Sequence, residues 1–270
     1  MFKCYSTKAI AAAFTFSGVA KAGLSGCAQN LAFLLTNEFQ IGQMTFQYSN
    51  CKKDAGGKGY STGIANFCTG AGDAWDVVQA FHDITGGNDK FTKLDKTVAA
   101  ATLLVFQIFY SIWKSLATNQ KFWPAQSTVF DKLYFTPSQK QADDLGLKQS
   151  VRQAVPYNTA ISRGAGDDSD SLGGIIQQVN ESITEDVSGG GSGSTLTIKS
   201  HLIDEIEWLN KFLKTRAKYE DEGDSNISIL AYKNIIEKKE YNWDREFEVL
   251  NDEDDVGNAT CDKLFQPYLG

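Results

Sequence analysis

Apolar residues recur at helical spacing over most of the 270-residue chain, and period-two alternation is scarce. From Gly23 to about Met44, the residues Leu24, Cys27, Leu31, Leu34 and Leu35 fall three or four apart, which predicts a helix with one apolar stripe. One further step along that stripe lands on Glu38, so a carboxylate ends a row of core-facing positions. Asp73 to His82 returns to helical spacing, with Trp75, Val78 and Phe81 on one side. Asp73 stands at its start, where a carboxylate suits free backbone N–H groups. Thr97 to Leu116 reads as a central apolar helix, and Val129–Tyr134, Lys140–Arg152 and Ser171–Val179 as amphipathic stretches. After a flexible SGGGSGS run at 188–194, His201 to Tyr219 predicts a strong amphipathic helix with Leu202, Ile206, Leu209, Phe212 and Leu213 inward. The expected class is mainly α with a small β element, in two lobes, and without internal repeats.

Two segments depart from this pattern. Residues 1–22 carry Lys3 and Lys8, then a small apolar run from Ala9 to Val19, then Ala20-Lys21-Ala22, which together predict an export signal ending before Gly23. Cys51 to Asp73, CKKDAGGKGYSTGIANFCTGAGD, is too rich in glycine for a helix interior and reads as turns or short strands.

Composition narrows the function. The chain holds 26 basic and 33 acidic residues, and loss of the three lysines in the leader moves its net charge from −7 to −10. That balance disfavours nucleic acid and anionic membranes and suits a cationic ligand. Cys27, Cys51, Cys68 and Cys261 remain after the leader, an even count that predicts two disulfides in any of three pairings. No C-x-x-C pair and only two histidines argue against structural zinc, so no metal or cofactor is expected. Three N-x-S/T triplets, at Asn180, Asn226 and Asn258, are compatible with export.

The glycine-rich segment fails as a phosphate loop, because Lys58 is followed by glycine, and it lacks the G-x-G-x-x-G fingerprint. No G-x-S-x-G elbow exists for a serine hydrolase. Paired carboxylates remain. Glycosidic hydrolysis needs a protonated carboxyl to serve the leaving oxygen and an ionised one to activate water or attack the sugar. Glu38, beside apolar neighbours, has the surroundings of the acid; the alternative is an ordinary surface residue at a helix end.

Glu38, Tyr48 and the run GKGYSTGIANFCTGAGD resemble the signature of the family-46 chitosanases, a glutamate followed at fixed distance by DGRGYTxGIxGFCxGTGD. Asp131 to Pro137 (DKLYFTP), Ser171 to Ile175 (SLGGI) and Phe212 to Arg216 (FLKTR) are similar to the family's DRVYFDP, SFGGI and FLDAR. The resemblance implies a lysozyme-like, α-rich fold with two lobes around a long cleft. It implies an extracellular, monomeric, endo-acting hydrolase of chitosan, the β-1,4 polymer of glucosamine, working by inversion. Glu38 then falls on the acid. Tyr48, Lys58, Ser61, Asp73 and Arg216 fall around the substrate: Ser61 on the residue that positions water, Asp73 on the one that binds the sugar's amine, and Arg216 on an arginine that orients the acid through a buried ionic network. The departures are specific. Gly56 stands where the family has its base, so Asp54, two residues earlier, is the candidate replacement. Asn158 replaces an aspartate of the network, leaving Arg216 a neutral partner, and Lys52 and Lys53 replace an acidic pair. A relative that binds glycan without cleaving it is the alternative reading.

Overall fold

The computed structural model describes residues 24, 26–43, 45–53, 57, 59–94, 103–188, 193–220, 227–250 and 256–259. The leader, Asp54, Gly56, Lys58, the acidic run 252–255 and Cys261 lie outside them. Nine α-helices and three small antiparallel sheets are formed by the described residues. Helix α1 (Gly26–Ile41) buries Leu31, Leu34 and Leu35 completely, as the stripe requires, and packs on α6 (Ser150–Arg163). The strands β1 (Cys51–Lys53), β2 (Tyr60–Thr62) and β3 (Phe67–Cys68) make one sheet in that order, so the described part of the glycine-rich segment folds back on itself. Register places Lys52 opposite Ser61 and Ser61 opposite Cys68, all three on one face.

Helices α2 (Asp73–Thr85), α3 (Leu103–Ser115) and α4 (Phe122–Phe130) close over an aromatic core in which Trp113 meets Phe91, Phe109 and Phe122 with ring centroids 4.8–6.3 Å apart. Its indole N–H donates to the Tyr48 carbonyl at 3.0 Å, so the same side chain fills the core and ties down the segment before β1. A second cluster, Phe33, Phe130, Phe135 and Tyr157, joins α1 to α6.

Three expected elements are redrawn. The stretch from Val129 belongs to a longer helical run, in which α4 passes through a π-helical turn, Asp131–Phe135, into α5 (Thr136–Leu145). No helix bridges 140–152: Gly146 adopts φ 80°, the Leu147 N–H closes back on the Ala142 carbonyl, and α6 starts afresh at Ser150. The expected helix from His201 begins as strand β5 (His201–Asp204) paired with β4 (Thr195–Ile198), which turns Leu202 outward to 52% exposure. The Asp204 side chain accepts from the Ile206 and Glu207 N–H groups and starts α8 (Glu205–Arg216) there. Helix α7 (Leu172–Glu181) agrees with expectation, and α9 (Ile227–Glu237) and the β6–β7 hairpin (Phe247–Leu250, Val256–Ala259) complete the described fold. Beyond the glycine run, Ser194 donates to Glu205, whose other oxygen pairs with the fully buried Arg152. The cysteine expectation is corrected at Cys51, a buried free thiol. Burial pushes its pKa up to about 12 despite nearby Lys114, so it is no nucleophile.

Trp113→Ala removes the central ring and the tie to Tyr48. It should cost about 3–5 kcal/mol, read as a lower urea midpoint.

Candidate active site

Glu38 lies near the C-terminal end of α1, half-buried, three and four residues beyond the fully buried Leu35 and Leu34. Its carbonyl accepts from the Gly42 N–H at 2.8 Å, so the backbone beneath it is still helical. The sheet docks against this end of the helix through Asn66, whose side-chain amide donates to the Gln40 carbonyl at 3.2 Å. Ser61, 5% exposed on β2, donates to the Asn66 carbonyl at 3.3 Å. Asn66 therefore joins Ser61 to Gln40, two residues beyond Glu38 on the same helix. Asp54 and Lys58, between β1 and β2 in sequence, lie outside the described residues.

Gln126 of α4 clamps the neighbouring backbone. Fully buried, it donates to the Tyr48 carbonyl at 3.0 Å and accepts from the Ile64 N–H at 3.2 Å. That geometry needs Gly63, at φ 66°, because a Cβ there would collide with the Gln126 side chain. Tyr48 is half-buried against Phe46 and Trp123, 6.1 and 5.5 Å between centroids, and burial raises its phenol's pKa.

Asp73 is 4% exposed. It accepts from the Cys68 N–H at 2.5 Å, the Ala74 N–H at 2.9 Å and the Tyr134 hydroxyl at 2.6 Å, and so pins the turn between β3 and α2. Burial outweighs those three donors and raises its pKa to about 6.

Arg216, 1% exposed, has all five of its N–H groups engaged. Nε donates to Glu220 at 3.0 Å, one terminal nitrogen to Asn158 at 2.8 Å and Thr159 at 3.1 Å, and the other to Ser162 and Ser228, both at 3.1 Å. Arg216 thus has a neutral partner in Asn158, as expected. Its counter-charge is Glu220, which also takes Arg163 at 2.7 Å. Desolvation lowers the Arg216 pKa from its ordinary value, and Glu220 opposes that shift. Asn158 passes the network on, donating to Thr36 of α1 at 3.3 Å, two residues before Glu38. Sequence reasoning missed Glu220, Arg163, Asn66 and Gln126. The i, i+4 spacing of Arg216 and Glu220 was a readable signal; the others depend on contacts distant in sequence.

Glu220→Gln takes from the buried Arg216 the carboxylate it pairs with, and should lower stability by roughly 3–5 kcal/mol in urea titrations. Asp73 makes a separate forecast. Because its folded pKa lies above the unfolded 3.8, its contribution is full below about pH 4 and lost as pH rises through about 6. The wild type should lose on the order of 2–3 kcal/mol across that window relative to Asp73→Asn, which cannot titrate.

Among the described residues no cluster of metal-binding side chains exists, and no helix is long and apolar enough to cross a membrane. The chain is 36% identical over 209 residues to a chitosanase of Bacillus subtilis, an alignment covering 74% of this chain and 69% of that one. It is 30% identical over 174 residues to a chitosanase of a Streptomyces species, covering 63% and 58%. In structure it is similar to a mutant chitosanase from Bacillus subtilis MY002 complexed with 6 GlcN, with a TM-score of 0.74, 29% identity, and coverage of 88% of this chain and 100% of that one. The mainly helical, lysozyme-like fold expected from the sequence is the fold of that enzyme. The model of glycosyl hydrolase family 46 matches residues 35–244, from the end of the α1 stripe to beyond α9, and the chain belongs to that family.

Proposed function

We propose that the protein is a secreted, endo-acting chitosanase that cleaves β-1,4 links between glucosamine units with inversion. The observation that carries this reading is the docking of the Ser61 sheet onto the C-terminal end of the helix bearing Glu38, in a member of family 46. Glu38 is the general acid, giving its proton to the leaving oxygen. Asp54 is the base: it follows directly on Lys53 of β1 in the sequence, and takes a proton from the attacking water as that oxygen bonds to the anomeric carbon. An inverting pair works across ~6.5–9.5 Å, which leaves room for that water. Ser61 supplies a hydroxyl to orient it.

Arg216 acts at one remove. Its network holds α1 at Thr36, and so fixes the helix from which Glu38 projects. Tyr48 and Lys58 line the sugar-binding groove in this reading, with Asp73 buried behind it at the start of α2, and the mature net charge of −10, obtained by removing the three leader lysines from −7, draws a polycation toward it. Residues 1–22 direct export.

Release of reducing ends from chitosan, with chitin as control, tests the assignment. Glu38→Gln should lower kcat about 10²–10⁴-fold, the usual worth of a general acid. Asp54→Asn should abolish turnover while glucosamine oligomers still bind, and Gly56→Asp should raise it if that position still faces the bond being cut. Full turnover in Asp54→Asn would remove Asp54 from the mechanism. A wild type that binds oligomers and releases nothing would instead mark a glycan-binding relative.

A further inference from the structure

Asn66 stands where the family's signature carries glycine. Its backbone is left-handed, φ 54° and ψ 40°, a conformation that glycine adopts without strain and asparagine tolerates better than most residues. The side chain that this chain places there makes two bonds that glycine cannot. The amide nitrogen donates to the Gln40 carbonyl at 3.2 Å, and the amide oxygen accepts from the Asn50 side chain at 2.9 Å. Gln40 is the penultimate residue of α1, and its carbonyl belongs to the last turn, where no helical N–H follows to satisfy it. Asn66 caps that carbonyl from the sheet. Through its own carbonyl it also receives the Ser61 hydroxyl. One residue thus contacts the end of the acid-bearing helix, the loop before β1 and the hydroxyl assigned to the water.

We propose that Asn66 is a positioning residue for hydrolysis, a strut that sets the spacing between Glu38 on α1 and Ser61 on β2 and thereby the line of attack of the water. This rests on the chitosanase reading. Inversion needs acid and water on opposite sides of one carbon, so a small drift of sheet against helix leaves sugar binding intact and degrades the chemical step, by about 10²-fold for a shift near 1 Å. The role falls on kcat.

Two variants separate positioning from simple stability. Asn66→Asp keeps the shape and the bond from Asn50 but turns an oxygen toward the Gln40 carbonyl. Asn66→Gly removes the strut and relaxes the left-handed backbone. Both are assayed on glucosamine hexamer for kcat and KM, well below the unfolding temperature measured for each. The expected result is a kcat about 10–100-fold lower in both, with KM within about twofold of wild type and Asn66→Gly melting close to wild type. Wild-type kcat in folded Asn66→Gly would overturn the inference, as would a raised KM at unchanged kcat. Failure of both variants to fold would assign Asn66 to stability alone and overturn it equally. A wild type without turnover would sink this inference together with the chitosanase reading, whereas an active wild type indifferent to both variants would sink this one only.

Discussion

A guanidinium that is 99% hidden has to find its counter-charge inside the protein, and the placement of Arg216 organises much of the fold around that need. An uncompensated buried charge costs several kcal/mol, so the groups around it cannot be independent. Glu220 supplies the charge, Asn158, Thr159 and Ser162 come from α6, and Ser228 comes from α9. Arg163 then shares Glu220, which puts two cations on one carboxylate and locks α6 to the turn after α8. The hydrogen bond from Asn158 to Thr36 brings α1 into the same arrangement. A constraint set by solvation thus ends two residues from the candidate acid.

The other side of the site is held by neutral groups. Gln126 and Trp113 both donate to the Tyr48 carbonyl, Gly63 lets the backbone approach Gln126, and the Asn50 carbonyl accepts from the Gly63 N–H at 2.8 Å. Asp73 closes the far end of the sheet on Tyr134 of the π-helical turn. The sheet is only two or three residues deep at each strand and would be marginal alone. Here it is tied to α2, α4 and α1 by side-chain hydrogen bonds. Preorganisation of this kind suits a reaction in which two groups must address one carbon from opposite faces.

The departures from the family's signature gain a physical meaning from these contacts. With asparagine rather than aspartate at 158, the carboxylate that pairs with Arg216 is Glu220. Asparagine in place of glycine at 66 exchanges conformational ease for two hydrogen bonds across the helix–sheet junction.

What the sequence determined by itself was local and periodic. The stripe that ends at Glu38, the strand-and-turn character of residues 51–73 and the helix from Asp73 follow from spacing and from glycine's backbone freedom, both of which act within a few residues. The order of the motifs was enough to point to the family. Periodicity did not place the breaks at Gly146 and Asp204, because a stop depends on a cap and on a strand partner, and β4 pairs with β5 only once the chain has folded back. Tertiary structure alone decided that Asp73 is shut in by Tyr134, that Cys51 is buried and unreactive, and that Arg216 is balanced by Glu220 rather than by residue 158. Burial and charge compensation are sums over neighbours brought from far along the chain, and no window of sequence contains them.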